Sequence, residues 1–246
     1  MKKAIALLLL VWSCTDKKET TIPIENSYTL VFFDKTQSVN PQDPFVRSKY
    51  AAALQHLIDQ HINTEGDILE VYYIHENTSK SKALTIKSRT TKEDMAGLSP
   101  TDAEAAQNAY DLSIKKERQM IHQALMQKFM EANTSSSNAE TNVSASTGVI
   151  AAATAVLPNV HAYFFSDMVE SLKKGRDFHK TPPDSPAQAG EWATADKSSH
   201  PNLAGAHVHI YLPFSPNSSS KINNPNVSEY WKQFFQGLGA ASVTEE

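Results

Sequence analysis

The stretch Tyr28-Thr-Leu-Val-Phe-Phe-Asp-Lys-Thr-Gln-Ser38 decides how the rest of the chain is read. Tyr28 to Phe33 is a nearly continuous apolar run, and Asp34, Thr36 and Ser38 then present oxygen-bearing side chains at alternate positions. A run of this kind is the pattern of a strand buried on both faces, as in a parallel sheet covered by helices. Working outward, Ile68–Ile74 and Val160–Phe165 repeat the style, and Val208–Leu212 predicts a further strand. Ala83–Arg89 alternates weakly after a polar turn, which predicts an antiparallel edge strand made by a hairpin.

Helical patterns separate these runs. Asp43-Pro44 supplies a cap and a first-turn proline, and Val46, Tyr50, Ala53, Leu54, Leu57, Ile58 and Ile62 follow at helical spacing. Ser99-Pro100-Thr101-Asp102 opens a second helix, with Tyr110, Ile114, Ile121, Leu125 and Phe129 on one face. Unbroken to Ala132, that helix would be about 50 Å long, so a break or a projecting segment over 99–132 is expected. Val149 to Leu157 predicts a short helix before Pro158. Asn226 reads as the cap of the last helix, whose core face is Val227, Tyr230, Trp231, Phe234, Phe235 and Leu238. Residues from about 173 to 205 are polar and proline-rich, and read as a surface insertion. Strands alternating with amphipathic helices predict an α/β fold over 27–240: a Rossmann-like, mostly parallel sheet with helices on both faces and one antiparallel edge strand.

The 246 residues are 40% hydrophobic and carry a formal net charge of −4. The apolar fraction excludes a disordered chain, and the acidic balance argues against nucleic-acid binding. A single cysteine, Cys14, excludes an intramolecular disulfide framework and a cysteine zinc cluster. Lys2 and Lys3 precede an apolar run, Ala4–Trp12, that spans only about 14 Å as a helix, too short for a bilayer core of about 30 Å. It reads as a secretion signal. Val11-Trp12-Ser13-Cys14 resembles the lipobox of bacterial lipoproteins. The resemblance implies a signal peptide over 1–13, acylation of Cys14, a polar tether over 14–26 and a lipid-anchored, extracytoplasmic place in the bacterial cell envelope, held stably by more than one acyl chain.

In open parallel sheets, ligands bind beyond the carboxyl ends of the strands, where strand order reverses. The side chains there are Asp34, Thr36 and Ser38 after the first strand and Asp167 after the third buried one, with Thr141 before the helix that feeds it. All are oxygen donors, which suits a hard divalent cation such as Mg2+. The arrangement resembles the von Willebrand factor A domain and its metal-ion-dependent adhesion site. That family carries Asp-x-Ser-x-Ser after the first strand, a Thr in a later loop and an Asp after the fourth strand. Asp34, Thr36 and Ser38 match the first element with Thr for Ser, Thr141 the second and Asp167 the third; Met168 stands where a Gly is usual, and Glu140 where a small residue is usual. The resemblance implies a metal at Asp34, Thr36, Ser38, Thr141 and Asp167, with one coordination position left for the Asp or Glu carboxylate of a protein partner. The role so implied is binding, not catalysis.

Two other readings use the same residues. Asp34-Lys35-Thr36 also resembles the phosphorylated-aspartate motif of haloacid-dehalogenase-like phosphohydrolases, with Asp34 as nucleophile. That chemistry wants a separate lysine and an acidic pair, whereas Ser166-Asp167-Met168 offers one acid. A metal-free assembly component would keep the fold alone. His207 and His209 share one face of a strand; as metal ligands they would need a third partner, and they read more simply as edge-face histidines.

Overall fold

The computed structural model describes residues 25–133, 140–215, 217–220 and 222–246. The signal segment 1–13, Cys14 and the tether through residue 24 lie outside the described residues. Six strands form one sheet: Tyr28–Asp34 (β1), Ile68–Ile74 (β2), Lys82–Lys87 (β3), Val160–Phe165 (β4), His207–Tyr211 (β5) and Ser242–Glu245 (β6). Their order is β3-β2-β1-β4-β5-β6. Neighbours are parallel except for β2 and β3, which pair as the antiparallel hairpin expected at that edge.

Five helices cover the sheet: Pro44–His61 (α1), Pro100–Met130 (α2), Ser146–Thr154 (α3), Pro186–Asp196 (α4) and Pro225–Gly237 (α5). The apolar run of β1 is continuous because both faces are covered. Val31 and Phe33 pack with α1 and α2, while Leu30 and Phe32 pack with α3, α4 and α5. Asp43 caps α1 as expected, accepting from the Phe45 and Val46 amides at 2.8 and 3.2 Å. The register sets Asp34 opposite Ile74 on β2, and Phe33 opposite Phe165 on β4. Strand order reverses between β1 and β4, so the residues that follow these two strands are neighbours at the carboxyl edge.

Three elements differ from the sequence expectation, and helix α2 follows one of its two alternatives. Helix α2 runs without a break, yet none of its residues before Ile114 is buried; Ile114, Ile121, Leu125 and Phe129 seat only its second half. Arg118 donates from Nε to the Ile62 carbonyl at 2.8 Å, tying α2 to the end of α1. Within the polar segment 173–205 lies helix α4, an element that the sequence expectation does not include. Ala189 and Ala193 let that helix pack closely, a signal too weak in side-chain volume to read as a core face. The cap of α5 is Asn224, not Asn226. Pro225 takes the first helical position, and the Asn224 carbonyl side chain accepts from the Asn226 amide at 3.0 Å. Strand β6 was not foreseen, since its four residues are only partly covered and carry no apolar run. Among the described residues, no helix is long and apolar enough to cross a membrane.

The sheet face under α1 carries an unusual polar cluster. The rings of His61 and His161 are 4.0 Å apart, and those of His161 and His207 are 4.9 Å apart. His61 Nε2 meets the Tyr163 hydroxyl at 2.6 Å, and His161 Nδ1 lies 3.4 Å from His209 Nε2. The structure thus supplies His161 beside His207 and His209, as neighbours in a stack. Burial, reinforced by repulsion among the rings, pushes the imidazoles of His61 and His209 down to about 4 and that of His161 to about 3. An unfolded histidine titrates near ~6.5. The unfolded chain therefore binds more protons over this interval, and stability falls as pH drops from about 6.5 toward 4. Urea denaturation across pH 4–8 is expected to show that loss, and His161→Gln, which cannot titrate, to flatten it. An unchanged slope in the variant would remove the cluster as its cause.

Candidate functional site

The last residue of β1 begins the site. Asp34 is 3% exposed, and both its carboxylate oxygens are occupied. Oδ1 accepts from the Thr36 amide at 2.9 Å and the Thr36 hydroxyl at 2.6 Å, a tight turn that folds the chain back on its own acid. Oδ2 accepts from the Ser166 hydroxyl at 2.6 Å, across from β4. Ser166 in turn accepts from the Met168 amide at 2.9 Å. The Asp167 carboxylate accepts from the Val169 amide at 2.9 Å, and the Ser38 side chain lies beside it, opposing the rise that burial causes. The Thr36 and Ser38 hydroxyl oxygens are 3.0 Å apart. A chain of oxygen atoms therefore runs Ser166–Asp34–Thr36–Ser38–Asp167.

The electrostatics follow from burial. Asp34 is pushed up to about 6, first by burial and then by the Asp167 charge, against the pull of the Ser166 and Thr36 hydrogen bonds. Asp167 is raised by burial as well. Tyr50 packs nearby, and its hydroxyl, which donates to the Tyr211 carbonyl at 3.0 Å, is held neutral by burial and by both acids.

The adjacent cation is committed elsewhere. Lys35 Nζ donates to the carbonyls of Lys128, Phe129 and Glu131 at 2.8, 2.7 and 2.7 Å, closing the carboxyl end of α2. It also lies 4.9 Å from the Tyr73 ring centroid. Burial lowers its ammonium to about 8. Among the described residues, no ion pair engages Asp34 or Asp167.

Of the five residues expected here, Asp34, Thr36 and Ser38 are thus joined by hydrogen bonds, with Asp167 beside Ser38. Thr141 is buried on a neighbouring loop, where its backbone pairs with Ser171 at 3.1 and 3.0 Å; its hydroxyl takes no part in that chain. The residue that sequence reading passed over is Ser166. Its place between Phe165 and Asp167, at the end of a buried strand, was the available signal. Glu140 accepts from Lys173 Nζ at 2.8 Å and so faces outward from this chain of contacts. Among the described residues, no group of three or more His, Cys, Asp or Glu side chains is placed to hold a metal ion; the site has two carboxylates, and its remaining donors are hydroxyls.

No family model matches the chain, and no curated protein matches it. Among solved structures it is similar to a von Willebrand factor type A protein from Catenulispora acidiphila, at 13% identity and a TM-score of 0.33, over 85% of this chain and 43% of that one. It is also similar to proximal thread matrix protein 1 of the mussel byssus, at 12% identity and a TM-score of 0.31, over 90% of this chain and 41% of that one. The chain thus spans less than half of either solved chain.

Lys35 gives this region a separate structural test. Lys35→Met removes a charged donor from three carbonyls at a helix end, at a cost of about 1.5–3 kcal/mol. Lys173→Met, which breaks a solvent-screened exposed pair, is expected to cost far less. Urea denaturation of both variants checks the order, and equal losses would mean that Lys35 does not hold α2.

Proposed function

We propose that the chain is a lipid-anchored, extracytoplasmic protein whose α/β domain binds the carboxylate of a protein partner through a divalent cation, Mg2+ being the best suited. The observation that carries this reading is the pair of buried acids, Asp34 and Asp167, with the Thr36 and Ser38 hydroxyls between them and, among the described residues, no ion pair to either. Two like charges buried together are costly unless something positive is added.

The donor chemistry fits such an ion. A hydroxyl that gives its one proton to a carboxylate leaves its oxygen lone pairs free. Thr36 does so toward Asp34, and the set contains no sulfur or imidazole. Hard cations take oxygen ligands of this kind, and magnesium commonly keeps water at its remaining positions. Asp34, Thr36, Ser38 and Asp167 would hold the ion, Thr141 would approach from its own loop, and Ser166 would orient Asp34. The bound ion would supply positive charge for an incoming carboxylate.

Lys35 weighs against the phosphohydrolase reading. The lysine next to Asp34 is spent on the end of α2, and Lys173 is paired with Glu140 and largely exposed. Neither is free beside Asp34 to neutralise a phosphoryl group. The membrane anchor rests on the sequence around Cys14.

Calorimetry of the wild type should show Mg2+ binding that Asp34→Ala weakens at least tenfold with an unchanged circular dichroism spectrum. Recovery of a partner from envelope extract should need both Asp34 and magnesium, and a chelator should abolish it reversibly. Recovery indifferent to both would leave the metal-free assembly reading, and phosphate-ester turnover that dies with Asp34→Ala would establish the hydrolase. For the anchor, mass spectrometry of the mature N-terminus should find acylated Cys14, with Cys14→Ala left uncleaved and unacylated. A wild-type chain cut elsewhere, without acyl groups, would dispose of the anchor.

A further inference from the structure

One wall of the oxygen cluster opens into a cavity of about 390 Å³. Ser38 and Asp167 form that wall, and Val169, Phe178, Phe214 and Ile222 contribute apolar surface to the rest. These residues come from separate places in the chain: the turn after β1, the loop after β4, the segment before α4 and the connection from β5 to α5. The volume lies within the usual range for a small-ligand pocket, about 300–1,000 Å³, and exceeds what a carboxylate alone needs. Phe178 belongs to the core, whereas Ile222 is 62% exposed, so the apolar surface runs from the interior to an uncovered rim. The first turn of α5 also borders the cavity through Asn224 and Val227. The amino end of a thirteen-residue helix carries partial positive charge, which favours an anion on this side. Asp34 and Asp167 alone would repel one. A ligand that suits both walls has an acid for a cation-loaded cluster and a bulky apolar group for the cavity.

We propose that this cavity is an apolar subsite of the cation centre, selecting partner segments in which a large aromatic or aliphatic side chain stands next to the metal-seeking Asp or Glu. The inference rests on the cation-dependent reading above and adds to it the kind of sequence recognised. It also gives a role to the segment before α4 and to the β5–α5 connection, which the oxygen cluster does not use.

The test uses fluorescein-labelled acetyl-Gly-Phe-Asp-Gly-amide, the same peptide with Ala for Phe, and the same peptide with Asn for Asp. Polarisation is read on the full chain in detergent, with magnesium or with chelator. With magnesium, the Phe–Asp peptide should bind at least tenfold more tightly than the Ala–Asp peptide, and the Asn peptide should not bind. In Ile222→Ser, where an exposed side chain is changed, and in Phe214→Ala, the advantage of Phe should shrink at least threefold while Ala–Asp binding and calorimetric Mg2+ binding persist. Equal, magnesium-dependent affinities for the Phe–Asp and Ala–Asp peptides would overturn the subsite and leave the cation reading intact. Magnesium binding without binding of any peptide would do the same. Binding of the Asn peptide as tight as that of Phe–Asp, with or without magnesium, would detach the cavity from the cluster and overturn the link. Absence of calorimetric Mg2+ binding would defeat the cation reading and this inference with it.

Discussion

Two carboxylates, Asp34 and Asp167, are buried at the ends of adjacent parallel strands, and much of the carboxyl edge is arranged around that fact. An unpaired buried charge is expensive, and here the first relief comes from neutral donors. Thr36 and Ser166 hold Asp34 from opposite sides, the Val169 amide holds Asp167, and Ser38 lies beside it. These hydrogen bonds oppose the upward shift caused by burial without cancelling it. Lys35, one residue from Asp34, spends its charge on three carbonyls of α2. The same lysine thereby ties the end of α2 to the end of β1, since α2 is seated only by its second half and ends where Lys35 holds it.

The sheet beneath the edge is what makes the cluster rigid. Phe32 and Phe164 stack across β1 and β4 at 4.8 Å, and on the other face Phe33 and Phe165 lie 5.4 Å apart. Tyr50 of α1 meets Phe165 edge to face at 4.9 Å and Phe129 of α2 at 5.3 Å. Aromatic pairs of this kind add roughly 0.5–1.5 kcal/mol each beyond area burial. They fix the register that sets Phe33 beside Phe165, and that register places Asp34 beside Ser166. Asp34, the last residue of a packed strand, and Ser166, directly after another, suit a binding centre, because little ordering of them remains to be done when a ligand arrives.

Away from this edge the molecule tolerates polarity differently. The histidine stack under α1 is a polar layer, buried at His61 and partly buried at His161, His207 and His209, in a face otherwise built from Val31, Phe33, Leu54 and Leu57. Burial holds the rings of His61, His161 and His209 below the ordinary imidazole range, and the stack is satisfied by Tyr163, Asn159, Ser242 and Thr244. This cluster and the acid pair are both buried polar sets on β1, β4 or β5, and both depend on neutral hydroxyl or amide partners rather than on opposite charges.

The sequence by itself determined the class of fold and most of the oxygen donors. Continuous apolar runs at 28–33, 68–74 and 160–165 can be buried only between two helical layers, and an acid directly after such a run has to lie at the carboxyl edge. The cap at Asp43 and the apolar face of α5 were legible for the same local reason, since they depend on residues a few positions apart. The tertiary structure decided what depends on distant partners. Ser166 joins the site only because β4 lies beside β1, and Lys35 is withdrawn from it only because α2 ends within reach. Helix α4 is stabilised by close packing of small residues, and β6 by pairing with β5, so neither leaves a strong periodic trace. The cavity beside Asp167 is drawn from four separated segments. No window of the chain contains it, because its walls become neighbours only when the sheet order brings the strand ends together.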